Sequence, residues 1–295
     1  MTTSGVQRAQ VGELELAYET FGTAGDPPVL LVMGLATQMI GWPDDFCRQL
    51  ADRGYYVVRF DNRDIGLSTH LHDAGAPDLM AVLGGDHSSV PYELADLAGD
   101  CVGLLDALGL DSVHLVGASM GGMIAQLVAL QAPERVRTLT SIMSTTGDPS
   151  VGLPSDAALA LLLTPAAGDR DGAVQQVVDT YRVIGSPGFE FDESALRDRA
   201  GLSFDRAYDP AGVARQLAAI LTTRDRTPDL KSASVPCLVV HGAEDALVNV
   251  SGGHATAAAI PDAELLIVDG MGHDLPRQVW PQLIERMTAL FDRAA

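Results

Sequence analysis

Ser119 lies in the sequence motif of this chain that most directly predicts a reactive side chain. The pentapeptide GASMG, residues 117–121, matches the spacing GxSxG and joins an apolar run, 113–117, to an alanine- and leucine-rich stretch, 120–131. A serine on a sharp strand-to-helix turn requires very small residues two positions before and after it, and glycine occupies both positions. The motif predicts a nucleophilic serine above the edge of a sheet. An incidental serine in a glycine-rich turn is the alternative.

A histidine should lie close to this serine, because a serine hydroxyl is a weak nucleophile until a base takes its proton. Of the seven histidines, His273 follows the last apolar run, 263–268, and precedes the terminal helical stretch. This position fits the chain order serine, acid, histidine. The other histidines are expected to be strand residues or to lie in polar loops and helix starts, without a motif: His114, His241, His70, His72, His87 and His254.

The acid that orients the histidine should follow a strand that lies between Ser119 and His273 in the chain. Asp245 comes just after the apolar run 237–241 and is the preferred candidate. Its carboxylate would accept the imidazole N–H and stabilise the imidazolium. Glu244 and Asp148 are alternatives, and a solvated turn carboxylate remains the simplest other reading of Asp245. Asp274, next to the histidine, is expected to face solvent.

Two backbone amides are predicted to stabilise the negative charge that develops on a substrate oxygen. Met120 begins the helix after the serine, where free N–H groups and the helix dipole favour an anion. Leu35 follows the strand 29–34 and is the second candidate, although the assignment could shift by one residue.

The rest of the chain alternates short apolar runs with longer amphipathic segments, which indicates a parallel α/β sheet covered by helices. Strands are predicted at 13–21, 29–34, 55–61, 113–117, 136–143, 237–241 and 263–268. Helices are predicted at 44–53, 92–108, 120–131, 252–260 and 277–293.

Residues 144–234 interrupt this alternation. They contain helical patterns at 157–163, 172–184, 193–202 and 212–221 but no convincing strand. We therefore expect a core formed by residues 1–143 and 235–295 and an inserted helical cap at 144–234.

Composition restricts the partners of the protein. Acidic residues outnumber basic ones 39 to 19, so a nucleic-acid partner is not expected. No charge-free apolar run approaches the roughly 18 residues of a membrane span, and no leader is recognisable, so we expect a cytoplasmic protein without membrane contact. Three widely spaced cysteines, without zinc-ligand spacing, predict free buried thiols, and neither a metal nor a cofactor is expected: Cys47, Cys101 and Cys237.

Ser119, Asp245 and His273 in these contexts resemble the α/β-hydrolase superfamily. The segments 31–34, 41–46, 59–69, 270–273 and 275–276 further resemble aclacinomycin methylesterase-like bacterial esterases, whereas Asp274 stands where a small residue is expected in them. The resemblance implies an eight-stranded, mostly parallel twisted sheet flanked by helices, with an inserted helical cap. It also implies cofactor-free hydrolysis of a carboxylic ester in a pocket between core and cap. In aclacinomycin methylesterase this ester is the methyl ester of an anthracycline polyketide.

The expected substrate is therefore an apolar small-molecule ester, with a polyketide methyl ester as one form. Apolar side chains that could line the pocket are Leu35, Met39, Trp42, Met123 and Met143. Methionine adapts well to irregular ligands, but ordinary core packing explains the same residues.

Other activities remain open at this point. Cleavage of a carbon–carbon bond beside a ketone, lactone opening, amide hydrolysis and perhydrolysis use the same three residues. A non-catalytic ligand-binding module is a further alternative. The apolar helices of residues 144–234 could also form the interface of a homo-oligomer.

Overall fold

The computed structural model describes residues 5–294, which form one eight-stranded sheet with helices on both faces. The strand order is β1-β2-β4-β3-β5-β6-β7-β8; β1, β2 and β4 pair antiparallel, and all other neighbours pair parallel. The strands are β1 Gln7–Val11, β2 Leu14–Phe21, β3 Pro28–Val32, β4 Tyr56–Phe60, β5 Val113–Ala118, β6 Val136–Ile142, β7 Cys237–Gly242 and β8 Glu264–Val268.

The central strands are buried on both faces, as their continuous apolar sequences predict. In β3, Leu30 and Val32 pack into one core cluster, whereas Val29 and Leu31 pack into the other, because successive side chains of a strand point to opposite faces. The sheet therefore separates two hydrophobic cores.

Eleven α-helices lie in the part of the chain that the structure describes. They are α1 Asp44–Ala51, α2 Leu79–Leu83, α3 Leu94–Leu108, α4 Met120–Gln131, α5 Asp156–Leu162, α6 Arg170–Ile184, α7 Glu193–Arg206, α8 Pro210–Leu221, α9 Thr227–Leu230, α10 Ser251–Ala259 and α11 Trp280–Asp292. Apolar side chains of α3 and α4 belong to one core cluster, and those of α1 and α11 belong to the other. These faces carry the helical spacing seen in the sequence.

Between β6 and β7 the chain forms the five helices α5 to α9, and no described residue of this segment lies in a strand. Helices α5, α6 and α7 are capped by the residues that precede them, Ser155, Asp169 and Asp192, whose side chains accept hydrogen bonds from amides of the first turn. We call residues 143–236 the inserted segment.

The inserted segment is attached to the loop after β3 by buried polar contacts. Gln38 Nε2 donates to the carbonyl oxygens of Ser203 and Ala207, at 2.7 and 3.1 Å, and Arg206 donates to Gln38 Oε1 at 2.8 Å. The same arginine forms an ion pair of 2.6 Å with Asp61, whose side chain is fully buried at the end of β4.

The predicted strands and long helices are all present, with ends shifted by a few residues, but three short elements were not predicted: strand β1, helix α2 and the four-residue helix α9. Strand β1 is an edge strand with the polar sequence QRAQV and pairs with β2 through its backbone, so its apolar signal is weak. Helix α2 has only five residues. The three cysteines are free and buried, as expected. Among residues 5–294, no helix is long and apolar enough to cross a membrane.

Candidate active site

Ser119 lies on the turn between β5 and α4 with a strained backbone, φ 56° and ψ -121°. A Cβ atom on Gly117 would lie 2.1 Å from the carbonyl oxygen of Gly121, and one on Gly121 would lie 2.2 Å from that of Val32. Both contacts are far too short, so the two positions require glycine. A residue at positive φ with a side chain costs roughly 1–3 kcal/mol, and such strain is typical of functional turns.

Neighbouring strand ends hold this turn in place. The Ser119 amide donates to the carbonyl oxygen of Ile142 at 2.9 Å, and the Ser144 hydroxyl donates to the Ser119 carbonyl oxygen at 2.8 Å. These bonds join the turn to β6 and to the residues that follow it. The serine side chain is consequently fixed relative to the sheet.

The side chains of Ser119, His273 and Asp245 form a hydrogen-bonded line. His273 Nε2 lies 2.9 Å from Ser119 Oγ, and His273 Nδ1 lies 2.7 Å from Asp245 Oδ2. Only 8% of His273 and 4% of Asp245 is exposed, so the bond between these two side chains is shielded from water. With the proton on Nδ1, the Nε2 lone pair points at the serine hydroxyl, which is the arrangement for general-base catalysis.

The environment of Asp245 keeps its carboxylate ionised. Its Oδ1 accepts hydrogen bonds from the amides of Leu247 and Val248, at 2.9 and 2.8 Å. Burial by itself would raise the pKa of Asp245, but the charge of His273 and hydrogen bonds from His241 and His273 outweigh burial and lower that pKa to about 2. The alternative acid, Glu244, is exposed and instead accepts from the amide of Gly270 at 2.8 Å.

The loop that carries His273 is held by the end of α6. The His273 amide donates to the carbonyl oxygen of Ile184 at 2.6 Å, and the Gly272 amide donates to Ser186 Oγ at 2.9 Å. Ser186 in turn donates to Asp274, which is partly buried. The expectation that Asp274 faces solvent was therefore wrong, because the inserted segment covers it. Burial raises the pKa of Asp274 despite the bond from Ser186.

Leu35 and Met120 lie on the two backbone segments next to Ser119. A Cβ on Gly34 would lie 3.5 Å from Ser119 Oγ, so the chain immediately before Leu35 passes beside the hydroxyl. The neighbouring amides are engaged elsewhere: Ala36 donates to Gln216 Oε1 at 3.2 Å and Ser119 donates to Ile142. These bonds engage the Ala36 and Ser119 amides, and the assignment of Leu35 and Met120 as oxyanion donors stays a prediction.

Leu35 is partly buried, whereas the other four pocket candidates are buried, with at most 6% of any residue exposed: Met39, Trp42, Met123 and Met143. Trp42 stacks on Phe46 within the core cluster next to α1, and Met143 belongs to the same cluster. Met123 packs into the opposite cluster. Their role in a pocket stays a prediction.

Several contacts at the site were not predicted. Ser186 and the Ile184 carbonyl belong to the inserted segment, where only the turn sequence Gly185-Ser186-Pro187-Gly188 indicated a tight bend. His241 lies 3.4 Å from Asp245 Oδ2, a contact for which its position at a strand end was the only signal. Elsewhere, side chains with atoms suited to binding a metal converge at His70, His72 and Asp209.

Comparison with known proteins agrees with this architecture. Residues 27–276 match the family model of the alpha/beta hydrolase fold. The chain is 30% identical to a rhodomycin D methylesterase of a Streptomyces species (strain C5) and 29% identical to one of Streptomyces peucetius, covering 94% of this chain and 95% of each relative. A hydrolase of Pseudomonas aeruginosa superposes with a TM-score of 0.72 at 25% identity over 98% of both chains.

These matches confirm the predicted fold, the resemblance to methylesterase-like bacterial hydrolases and the prediction of a hydrolase of the carboxylesterase type. The chain belongs to the alpha/beta hydrolase fold family.

Proposed function

We propose that this protein hydrolyses a carboxylic ester of an apolar small molecule through an acyl-enzyme intermediate. The observation that carries the proposal is the line from Asp245 through His273 to Ser119, with separations of 2.7 and 2.9 Å. Ser119 Oγ attacks the ester carbonyl while His273 takes its proton, and the Leu35 and Met120 amides donate to the oxyanion. His273 then protonates the leaving alcohol, and water releases the acid by the same steps in reverse.

The ionised state of Asp245 supports its role as the orienting acid. A carboxylate with a pKa of about 2 remains charged at neutral pH and stabilises the imidazolium that forms when His273 accepts the serine proton. Its two backbone donors, the amides of Leu247 and Val248, fix the carboxylate so that Oδ2 faces the imidazole.

Substrate choice is proposed to depend on the inserted segment, with residues 144–234 acting as a cap over the core. The support is its contact with the catalytic loop at Ile184 and with the loop after β3 at Gln38. A methyl ester of a bulky polycyclic acid, such as a polyketide, is the favoured substrate. The reason is that two relatives, each matched over 95% of its own length, are rhodomycin D methylesterases.

The first experiment compares the parent with Ser119→Ala on a panel of short p-nitrophenyl esters and methyl esters of bulky aromatic acids. We expect the parent to hydrolyse esters and the variant to lose about 10⁶-fold in kcat, to background. Ser150→Ala is the matched control, because Ser150 is exposed and its amide and hydroxyl donate to Asp148 in its own turn. A fluorophosphonate probe should label the parent and the control but not Ser119→Ala.

Each result separates the alternatives. Activity retained in Ser119→Ala would remove this serine from the mechanism. Labelling without turnover of any ester would favour the other acyl chemistries, which are then tested with a lactone and with a ketone bearing a cleavable carbon–carbon bond. Neither labelling nor turnover would favour a non-catalytic binding protein.

A further inference from the structure

A cluster of two histidines and one aspartate joins the loop after β4 to the start of α8. His70 Nδ1 lies 2.8 Å from Asp209 Oδ2, and His72 Nδ1 lies 3.7 Å from the same oxygen. The three ligand-type atoms all lie within 4.8 Å of one another. Nothing in the proposed ester hydrolysis uses these side chains.

The hydrogen bonds of His70 indicate that a cation belongs between its ring and Asp209. His70 Nε2 lies 3.0 Å from the carbonyl oxygen of Gly66, an acceptor that requires a proton on Nε2. A neutral His70 then directs its Nδ1 lone pair at a carboxylate oxygen only 2.8 Å away. Two lone pairs repel at that distance, so either a second ring proton or a metal ion must lie between them.

The charges around Asp209 also call for a further cation. Arg215 is fully buried and donates to both oxygens of Asp64, at 2.8 and 2.7 Å, so these two charges balance. Its additional contact with Asp209 Oδ2 is longer, at 3.2 Å. Two carboxylates thus share one guanidinium, and the charge of Asp209 is left for the histidines or a bound ion to balance.

His72 distinguishes a metal ion from a second ring proton. A protonated His70 would satisfy Asp209 without help, yet the ring of His72 lies beside that of His70, with centroids 5.4 Å apart and an interplanar angle of 12°. The Nδ1 atom of His72 lies 3.7 Å from the same carboxylate oxygen. The His72 side chain is 73% exposed, which leaves an open path from solvent.

We propose that His70 Nδ1, His72 Nδ1 and Asp209 bind a divalent transition metal of the zinc type, with water at the remaining position. Imidazole and carboxylate groups are common zinc ligands, and bonds of about 2.0–2.2 Å in a tetrahedron separate the ligand atoms by about 3.3 Å. The distances of 2.8 and 3.7 Å from Asp209 Oδ2 lie close to that value, and all three ligand atoms lie within 4.8 Å of one another. The Gly66 carbonyl would fix the ring of His70, a usual outer contact of metal-binding histidines.

A metal ion at this position would link the core to the inserted segment. His70 and His72 belong to the core loop after β4, whereas Asp209 directly precedes α8. The metal would therefore stabilise the attachment of the segment and take no part in the chemistry at Ser119.

The test measures zinc binding directly, with tag-free protein that has been treated with a chelator and dialysed. Titration calorimetry of the parent with ZnCl₂ should give one saturable site per chain. His72→Ala should raise the Kd for zinc by at least about 10-fold, because loss of a residue that merely hydrogen-bonds to a metal ligand already costs about that much affinity. His254→Ala, which removes an exposed histidine on α10, should bind like the parent.

Thermal unfolding provides a second readout that is independent of activity. Zinc at about 100 times its Kd should raise the Tm of the parent and of His254→Ala by roughly 5 °C, and that of His72→Ala by much less. Absence of a saturable site in the parent, or equal affinity in the parent and His72→Ala, would overturn the proposal and leave a protonated His70 as the partner of Asp209. Ester hydrolysis is assayed separately, since either result leaves the role of Ser119 untouched.

Discussion

The backbone amide of His273 donates a hydrogen bond of 2.6 Å to the carbonyl oxygen of Ile184. This bond links the loop of the candidate base to the last turn of α6, which lies 89 positions earlier in the chain. The inserted segment therefore contacts the loop that carries the proposed catalytic base. Its contribution can be measured through the side chain of Ser186.

Ser186→Ala should lower kcat roughly 5-fold with little change in KM for a small acetate ester. The hydroxyl accepts from the Gly272 amide and donates to Asp274, and losing such a bond costs about 1 kcal/mol of positioning. Steady-state kinetics with p-nitrophenyl acetate make the measurement. Ser232→Ala, an exposed serine bonded only to the nearby Asp229 carbonyl, is the control. Unchanged kcat in Ser186→Ala would show that this contact does not position His273.

Asp245→Asn should lower kcat by about 10⁴-fold while preserving the fold. The amide oxygen of asparagine can keep the bonds from the Leu247 and Val248 amides, but the amide nitrogen would donate toward His273 and favour the wrong tautomer. Glu244→Gln is the matched control next in sequence and should retain activity. A larger loss in the control than in Asp245→Asn would reverse the assignment of the acid.

Arg206→Ala should reduce the free energy of unfolding by about 3 kcal/mol. The substitution leaves the fully buried carboxylate of Asp61 without its ion-pair partner and removes a donor to Gln38. Arg182→Ala is the control: it breaks ion pairs with Asp179 and Glu193, but the Arg182 side chain is 53% exposed. This variant should lose less than about 1 kcal/mol in the free energy of unfolding. Urea denaturation compares the two. Equal losses would mean that the buried pair does not anchor the inserted segment.

His114 should make the protein less stable in mild acid. Burial, assisted by the charge of Arg137, lowers the pKa of His114 to about 4 from its ordinary value of 6.5. Between these values the unfolded chain binds a proton that the folded chain does not. This contribution to stability is therefore fully present above pH 6.5 and is lost as the pH falls toward 4.

The loss attributable to His114 is about 2 kcal/mol between pH 7 and pH 5. Denaturant unfolding at the two pH values should show a smaller pH dependence in His114→Gln than in the parent. The exposed His254→Gln serves as the control and should behave like the parent. A pH dependence that persists in full in His114→Gln would assign it to other groups.

Local patterns in the sequence were sufficient for the fold and for the choice of Ser119, Asp245 and His273 as candidates. The spacing of glycines around Ser119 reports the steric requirement of one turn, and apolar runs report burial on both sides of a strand. Each of these patterns spans only a few residues, so it can be recognised without knowledge of the rest of the chain. Strand β1 escaped prediction because an edge strand is held by backbone bonds and needs few apolar side chains.

Only the tertiary structure decided which distant side chains meet. The partial burial of Asp274, its bond from Ser186, and the approach of His70 and His72 to Asp209 all depend on how the inserted segment packs on the core. His70 and Asp209 are 139 positions apart, and no local period links them. Contacts of this kind follow from the packing of whole elements, whereas sequence patterns report the conformation and burial of one element at a time.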